Sequence, residues 1–370
     1  MKKGRIIFYI LILAMGILST GCKKNLTLFV GGFTEGDAKG LSVFAFDAGT
    51  GGMELKAVSD AGPGPSYFCF SEDNTRIYAL NEVDQFNGQK GGGVTTLRYN
   101  PSGQCEKLSQ ILVPYGGPCY ISLSADGGFL LLANYGSASI AVVKLDDKGI
   151  PERVVDSILY ETDTANVSHP HMIQQDPAGK HVYVTDLGLD RIMIYDLNVS
   201  SGKLVQKENG IVNVEKGSGP RHFAFNASGS KMYLINEPGS TMMVFDVDSE
   251  GGLSLQQTLT TLDGEFKGKS YCADVHLSSD GKFLYGSNRG ENTIVVYKIN
   301  EDGSLSLTGR SSCGGSWPRN FVIDPSGEFL LAGNQRSDQI SVFRISSKTG
   351  LPEGPVATAK MKAPACLKFR

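Results

Sequence analysis

Residues Gly219 to Val247 read GPRHFAFNASGSKMYLINEPGSTMMVFDV, and Gly117 to Leu145 read GPCYISLSADGGFLLLANYGSASIAVVKL. Laid on one another, both open on Gly-Pro and run through a short alternating segment into a Ser/Asn/Asp/Gly turn. Both continue as an apolar segment closing on Asn and finish as a strictly alternating strand. Further copies start near Gly64, Ser168, Tyr271 and Ser316. The opening residue falls at Pro65, Pro118, Pro170, Pro220, Cys272, Pro318 and Pro364, at spacings from 46 to 53 residues. A self-similar period of that length, built from strands and turns, is the signature of propeller blades rather than of a helical solenoid.

Seven alternating third strands are expected, at Leu41–Phe46, Val94–Tyr99, Ile140–Leu145, Ile192–Leu197, Met242–Val247, Ile294–Ile299 and Ile340–Ile345. Period-2 alternation bounded by turn residues reads as half-buried strands. The expected fold is therefore all-β, a seven-bladed β-propeller occupying residues 26–370. The segment from Pro364 reads as a first strand with nothing after it. Leu26 to Asp47 supplies second and third strands with no first strand before them. Pairing the two ends completes the last blade and leaves no open sheet edge. The 46 glycines suit a chain of many tight turns.

Residues 1–22 read differently. Three positive charges in Met1–Arg5 precede an apolar run, Ile6–Leu18, then small residues, then Cys22. That is the layout of a cleaved export signal, and Gly21-Cys22 is similar to a bacterial lipobox, with Cys22 the lipidated residue. Residues 23–25 would form a short tether. The expected location is an exported, lipid-anchored protein facing the periplasm. The remaining six cysteines show no paired short spacing and read as buried small hydrophobes. With a net charge of −3 and no basic run, the composition argues against a nucleic-acid surface. No metal site or cofactor is implied.

In a blade, the first two strands form an antiparallel hairpin with the first nearest the axis. The start of the first strand then lies beside the end of the second, at one mouth of the central channel. The polar residues assigned there include Glu82, Tyr120, His169, His171, Asp186, Arg221, His222, Glu237, Asp274, His276, Arg289 and Arg319, and four of the five histidines belong to this set. The recurring Asn81, Asn134, Asn236, Asn288 and Asn334 read as strand-end caps. Arg191 reads equally as the partner of Asp186 or Asp190 in an ion pair between blades. Arg221, Glu237 and Arg289 are consistent with a structural ion-pair network, but also with a site in which arginines hold an anion and a carboxylate and histidine exchange protons.

The segments GSGPRHFAF (Gly217–Phe225), Asn236-Glu237, SSDGKFLYGSNRG (Ser278–Gly290) and WPRNFVIDPSGEFLL (Trp317–Leu331) resemble the bacterial seven-bladed lactonase family. So do HPH (His169–His171), DLGLD (Asp186–Asp190) and GGPCY (Gly116–Tyr120). The resemblance spans the whole chain after the leader. It implies metal-independent hydrolysis of a sugar lactone, similar to that of 6-phosphogluconolactonase. By motif, the catalytic set carries over to His171 (or His169), Arg221, Glu237 and Arg289. Substrate contacts are expected from His169, His222, Arg319, Asp186, Glu82 and Tyr120. Export shifts the expected substrate toward an unphosphorylated aldonolactone. The same residues would also serve a lactonising cycloisomerase of a muconate-type dicarboxylate, and the fold alone would serve a non-catalytic binding propeller.

Overall fold

The computed structural model describes residues 25–34, 40–100, 103–163 and 167–370. The leader, Cys22 and Lys23-Lys24 lie outside the described residues. Asn25, expected in the tether, already belongs to a strand, Asn25–Gly32. Seven four-stranded antiparallel sheets follow one another around the ring. Blade 1 comprises Phe68–Phe70, Arg76–Asn81, Gly92–Tyr99 and Cys105–Val113, with a small extra hairpin at Gln85–Phe86 and Gln89–Lys90. Blades 2 to 6 open with Pro118–Leu123, Pro170–Gln175, Pro220–Phe225, Tyr271–Leu277 and Pro318–Ile323. Blade 7 joins the chain ends: Pro364–Phe369 pairs antiparallel with Asn25–Gly32, which continues into Leu41–Asp47 and Met53–Ser59.

Alternation sets the packing. Apolar side chains of the second and third strands, such as Leu130, Leu132, Ile140 and Val142, are fully buried between adjacent sheets. The fourth strands face water on one side, as in Pro151–Leu159. Tyrosines of the second strands lock neighbouring blades at their outer ends. The hydroxyls of Tyr78, Tyr183 and Tyr233 donate to Gly149, Gly251 and Gly303 carbonyls of the following blade at 2.7, 2.8 and 3.0 Å. Each of those glycines has a positive φ that suits a residue without a Cβ.

The strand-end asparagines are buried clasps. Asn134, Asn236 and Asn288 donate to Ser139, Thr241 and Thr293, which sit directly opposite on the third strand. Blade 3 has Asp186 and Arg191 in that register. Their 3.0 Å ion pair is therefore the same clasp in charged form, within one blade rather than between two.

Candidate active site

A bulge at the start of the innermost strand builds the site. Pairing skips one residue after the opening proline in blades 2, 3, 4, 6 and 7, and two in blade 5. The skipped residues are Cys119, His171, Arg221, Arg319, Ala365 and, in blade 5, Ala273 and Asp274. A regular strand would send consecutive side chains to opposite faces, but a bulge re-aims them. Ser66, Cys119, His171, Arg221, Arg319 and Ala365 consequently ring the narrow upper channel. The next residues, Tyr67, Tyr120, Met172, His222, Asp274 and Asn320, form a floor beneath them. Below the floor the channel widens into a mainly apolar chamber of about 900 Å³, lined by Phe70, Leu123, Phe225 and Leu277 from the far ends of the same strands. The larger space is thus at the opposite mouth, whereas the convergent charges lie at the narrow one.

Glu237, following the blade 4 asparagine, is the centre of the charge cluster. Arg221 Nε donates to its Oε2 at 2.8 Å, and Arg289 Nη2 lies 2.7 Å from the same oxygen. Among the described residues no donor reaches Oε1. Burial pushes the Glu237 carboxyl up, but the two guanidiniums outweigh burial and hold it below the usual carboxylate range. Both arginines are nearly buried and further held by backbone carbonyls: Arg221 by Ala273, Arg289 by Tyr271 and Cys272. The cluster carries two cations against one anion, with Arg319 nearby and loosely balanced by Glu82 at 3.9 Å. Glu82 in turn accepts from the Ser66 hydroxyl.

His171 is 5% exposed, and among the described residues its Nδ1 finds no hydrogen-bond partner. Burial, then the positive field of Arg221, holds its pKa well below the ordinary histidine value, so the ring is neutral at pH 7. It packs edge-on against Tyr135 and His222, with ring centroids 5.7 and 5.2 Å away. Tyr135 also stacks on His169 at 4.3 Å. Tyr135 belongs to the site yet was not among the expected residues. Its signal was present, because it follows Asn134 as Glu237 follows Asn236 and Arg289 follows Asn288.

Several expected contacts are used otherwise. Asp186 is fully buried and accepts from the Ser168 hydroxyl, the His169 and Leu189 amides and Arg191, which leaves it bracing a loop rather than facing a substrate. His169 Nδ1 bonds the Tyr135 carbonyl at 2.9 Å, so His171 rather than His169 occupies the ring with Arg221. Tyr120 and His222 belong to the floor; Tyr120 stacks on Tyr67 with ring centroids 4.4 Å apart. His222 Nδ1 donates to Asp274 Oδ1 at 2.8 Å, and His276 Nε2 donates to Oδ2 at 2.9 Å from the chamber side. Asp186 and Asp274 are therefore satisfied on both oxygens by donors of the chain itself, whereas Glu82 takes one hydroxyl, that of Ser66.

The arrangement offers two fixed cations, an ionised carboxylate with one free oxygen, and a neutral imidazole around one narrow opening. Such a set can hold an oxyanion and move a proton without a covalent nucleophile. Comparison with known proteins bears on the family. The family model described as Lactonase, 7-bladed beta-propeller matches residues 27–369. A 6-phosphogluconolactonase of Bacillus subtilis is 27% identical over 92% of this chain and 97% of its own length. One of Formosa agariphila is 32% identical over 87% and 93%. The solved structure of a Pseudomonas aeruginosa periplasmic gluconolactonase superposes with a TM-score of 0.87 at 32% identity, covering 93% of this chain and 99% of that one. The fold, the closure of the ring and the family match together place the chain in the seven-bladed β-propeller lactonase family.

Proposed function

We propose that the protein hydrolyses a sugar lactone, with Arg221, Arg289, Glu237 and His171 performing the chemistry. The observation that carries this reading is the shared grip of two buried arginines on one oxygen of Glu237, beside a neutral, half-unpartnered histidine. In the proposed reaction the lactone carbonyl oxygen sits against the guanidiniums. Water attacks the carbonyl carbon and gives a proton to Glu237 Oε1, and the arginines stabilise the tetrahedral oxyanion. As the oxyanion takes a share of the positive field of the fixed guanidiniums, their hold on Glu237 weakens and its basicity rises. Collapse breaks the ring C–O bond, and the same proton passes to the leaving alkoxide to give the open hydroxy acid.

The burial of His171 among arginines keeps it neutral, so in this scheme it relays the proton between Glu237 and the alkoxide rather than supplying one of its own. The route uses groups of the chain alone. The test is hydrolysis of 6-phosphogluconolactone and gluconolactone by the chain from Lys23 onward, with spontaneous opening subtracted. Arg221→Ala should lower kcat by about a hundredfold or more, the scale for removing an oxyanion donor. No rate above background in a folded wild-type protein would remove the hydrolase reading and favour a muconate-type cycloisomerase, checked by ultraviolet absorbance.

We also propose that residues 1–22 are an export signal and that Cys22 carries the lipid, leaving the propeller anchored and facing the periplasm. Support comes from the charged, apolar and small-residue succession ending in Gly21-Cys22. Cys22→Ala should move the protein from the membrane fraction to the soluble fraction. Membrane retention in that variant would point to an uncleaved apolar anchor instead.

A further inference from the structure

The residue before the opening proline has a left-handed backbone in five blades. Three are glycines, Gly64, Gly117 and Gly219, with φ of 54°, 65° and 63°; the others are Ala363 at 43° and Trp317 at 67°. A Cβ at Gly117 or Gly219 would meet neighbouring heavy atoms at 2.8 and 2.4 Å. The repeat therefore calls for glycine, and blade 6 supplies the bulkiest side chain and the single tryptophan of the protein. A large residue held in that region is an outlier whose retention points to a role for the side chain.

The indole lies at the active mouth. The Arg289 guanidinium carbon is 5.4 Å from its ring centroid, and that of Arg336 is 3.3 Å away. Arg336 follows Gln335 in a short turn after the second strand of blade 6, one residue beyond the position that gives Glu237 and Arg289 in blades 4 and 5. Arg289 is buried and committed to Glu237 and two carbonyls. Arg336 is exposed, and among the described residues no carboxylate forms an ion pair with it. Asp338, its nearest acidic residue in sequence, accepts instead from the Ala363 amide at 2.9 Å. Stacking on an aromatic face orders the planar guanidinium while leaving its N–H edge for a bidentate anion.

We infer that Trp317 and Arg336 form the distal wall of the substrate site and select lactones that carry an anionic group at the end remote from the carbonyl. This rests on the lactonase reading and extends it to substrate class. The two arginines flanking one indole would divide the substrate: Arg289 serves the reacting carbonyl, and Arg336 takes a phosphate or carboxylate at the far end of the six-carbon chain. The indole covers the C–H surface between them.

The test compares 6-phosphogluconolactone, a glucarolactone and neutral gluconolactone on wild type, Trp317→Gly and Arg336→Gln. Both variants should lower kcat/KM for the anionic lactones at least tenfold relative to the neutral one. A loss confined to the phosphate ester identifies phosphate as the recognised group, and loss on both anionic lactones extends recognition to carboxylate. Trp317→Gly should melt no lower than wild type by more than a few degrees, since glycine suits the φ; Arg336→Gln carries the test if it does not fold. In wild type, the emission of the single tryptophan should respond to 6-phosphogluconate or glucarate but not to gluconate. Wild-type turnover with an unchanged selectivity ratio would overturn the anionic wall alone. Anion-dependent fluorescence that Arg336→Gln abolishes, without turnover of any lactone, would sink the hydrolase reading and leave the anion site standing.

Discussion

Glu237→Gln is expected to lower kcat for lactone hydrolysis by about a hundredfold or more while leaving the propeller folded. The amide has nearly the shape of the carboxylate, and its carbonyl oxygen can still accept from Arg221 and Arg289. What disappears is the negative charge and the free oxygen that takes the proton from water. Breaking a buried ion pair outright costs about 3–5 kcal/mol; glutamine should cost less, because both guanidiniums keep an acceptor. The pH dependence follows from the same contacts. The arginines hold the Glu237 carboxyl below its ordinary value of about 4.3, so it is ionised throughout neutral pH and the acid limb of kcat/KM falls below that value. Stopped-flow hydrolysis at several pH values, with melting curves beside it, measures both. A glutamine variant within tenfold of wild type would mean that Arg221, Glu237 and Arg289 are a structural network and that the base lies elsewhere.

Much of this site was legible before the structure because blades repeat. The opening proline marks where the innermost strand begins, and the recurring asparagine marks where its partner ends. Their neighbours Arg221, Glu237 and Arg289 could thus be brought together by register alone. Asp186 was misjudged for a related reason. It stands where other blades have asparagine, opposite Arg191 where others have Ser139, Thr241 or Thr293, and a clasp of opposite charges looks like a functional carboxylate in one dimension.

The bulge was not legible. Simple alternation would have separated His171 from Met172, or Arg221 from His222, onto two faces of the strand. The skipped pairing turns both toward the axis, one to the ring of the site and the next to its floor. The position of Trp317 was equally hidden. Its left-handed backbone and its place between Arg289 and Arg336 depend on the turn that follows blade 5.

Asp274→Ala should be the most destabilising single change in the floor. Its carboxylate is 2% exposed and joins three blades, accepting from His222 of blade 4, from His276 of its own blade and from Asn320 of blade 6. Asn320 passes the connection to blade 7 by accepting the Leu367 amide at 2.6 Å, on the strand that closes the ring. Alanine would strand these donors in the interior, at a cost of about 3–5 kcal/mol, visible as a lower urea midpoint. Asp274→Asn separates shape from charge.

His222 donates its Nδ1 proton to Asp274, leaving Nε2 as the acceptor facing Arg221 Nη1 at 3.4 Å. An asparagine that offers its N–H₂ to Nδ1 would move the imidazole proton to Nε2, setting donor against donor and displacing the guanidinium that holds Glu237. Nitrogen-15 spectra of the imidazoles would report that exchange of tautomer, and kcat should fall by about tenfold or more with it. The acid stability of the wild type draws on the same floor and on His171 in the ring above it. Burial, then Arg221, depresses His222 to about 4, and burial keeps His171 neutral. Both histidines thus bind protons on unfolding, and their contribution, full above about pH 6.5, is lost as pH falls toward 4, at about 1.4 kcal/mol per pH unit for each. Asp274, held ionised against burial by His276 and His222, adds a loss that begins only below about pH 4. A urea midpoint that stays constant from pH 7 to 5 would mean that these imidazoles take up protons in the folded ring at the ordinary histidine value, as they do in the unfolded chain. In that case His171 could serve as the starting acid after all.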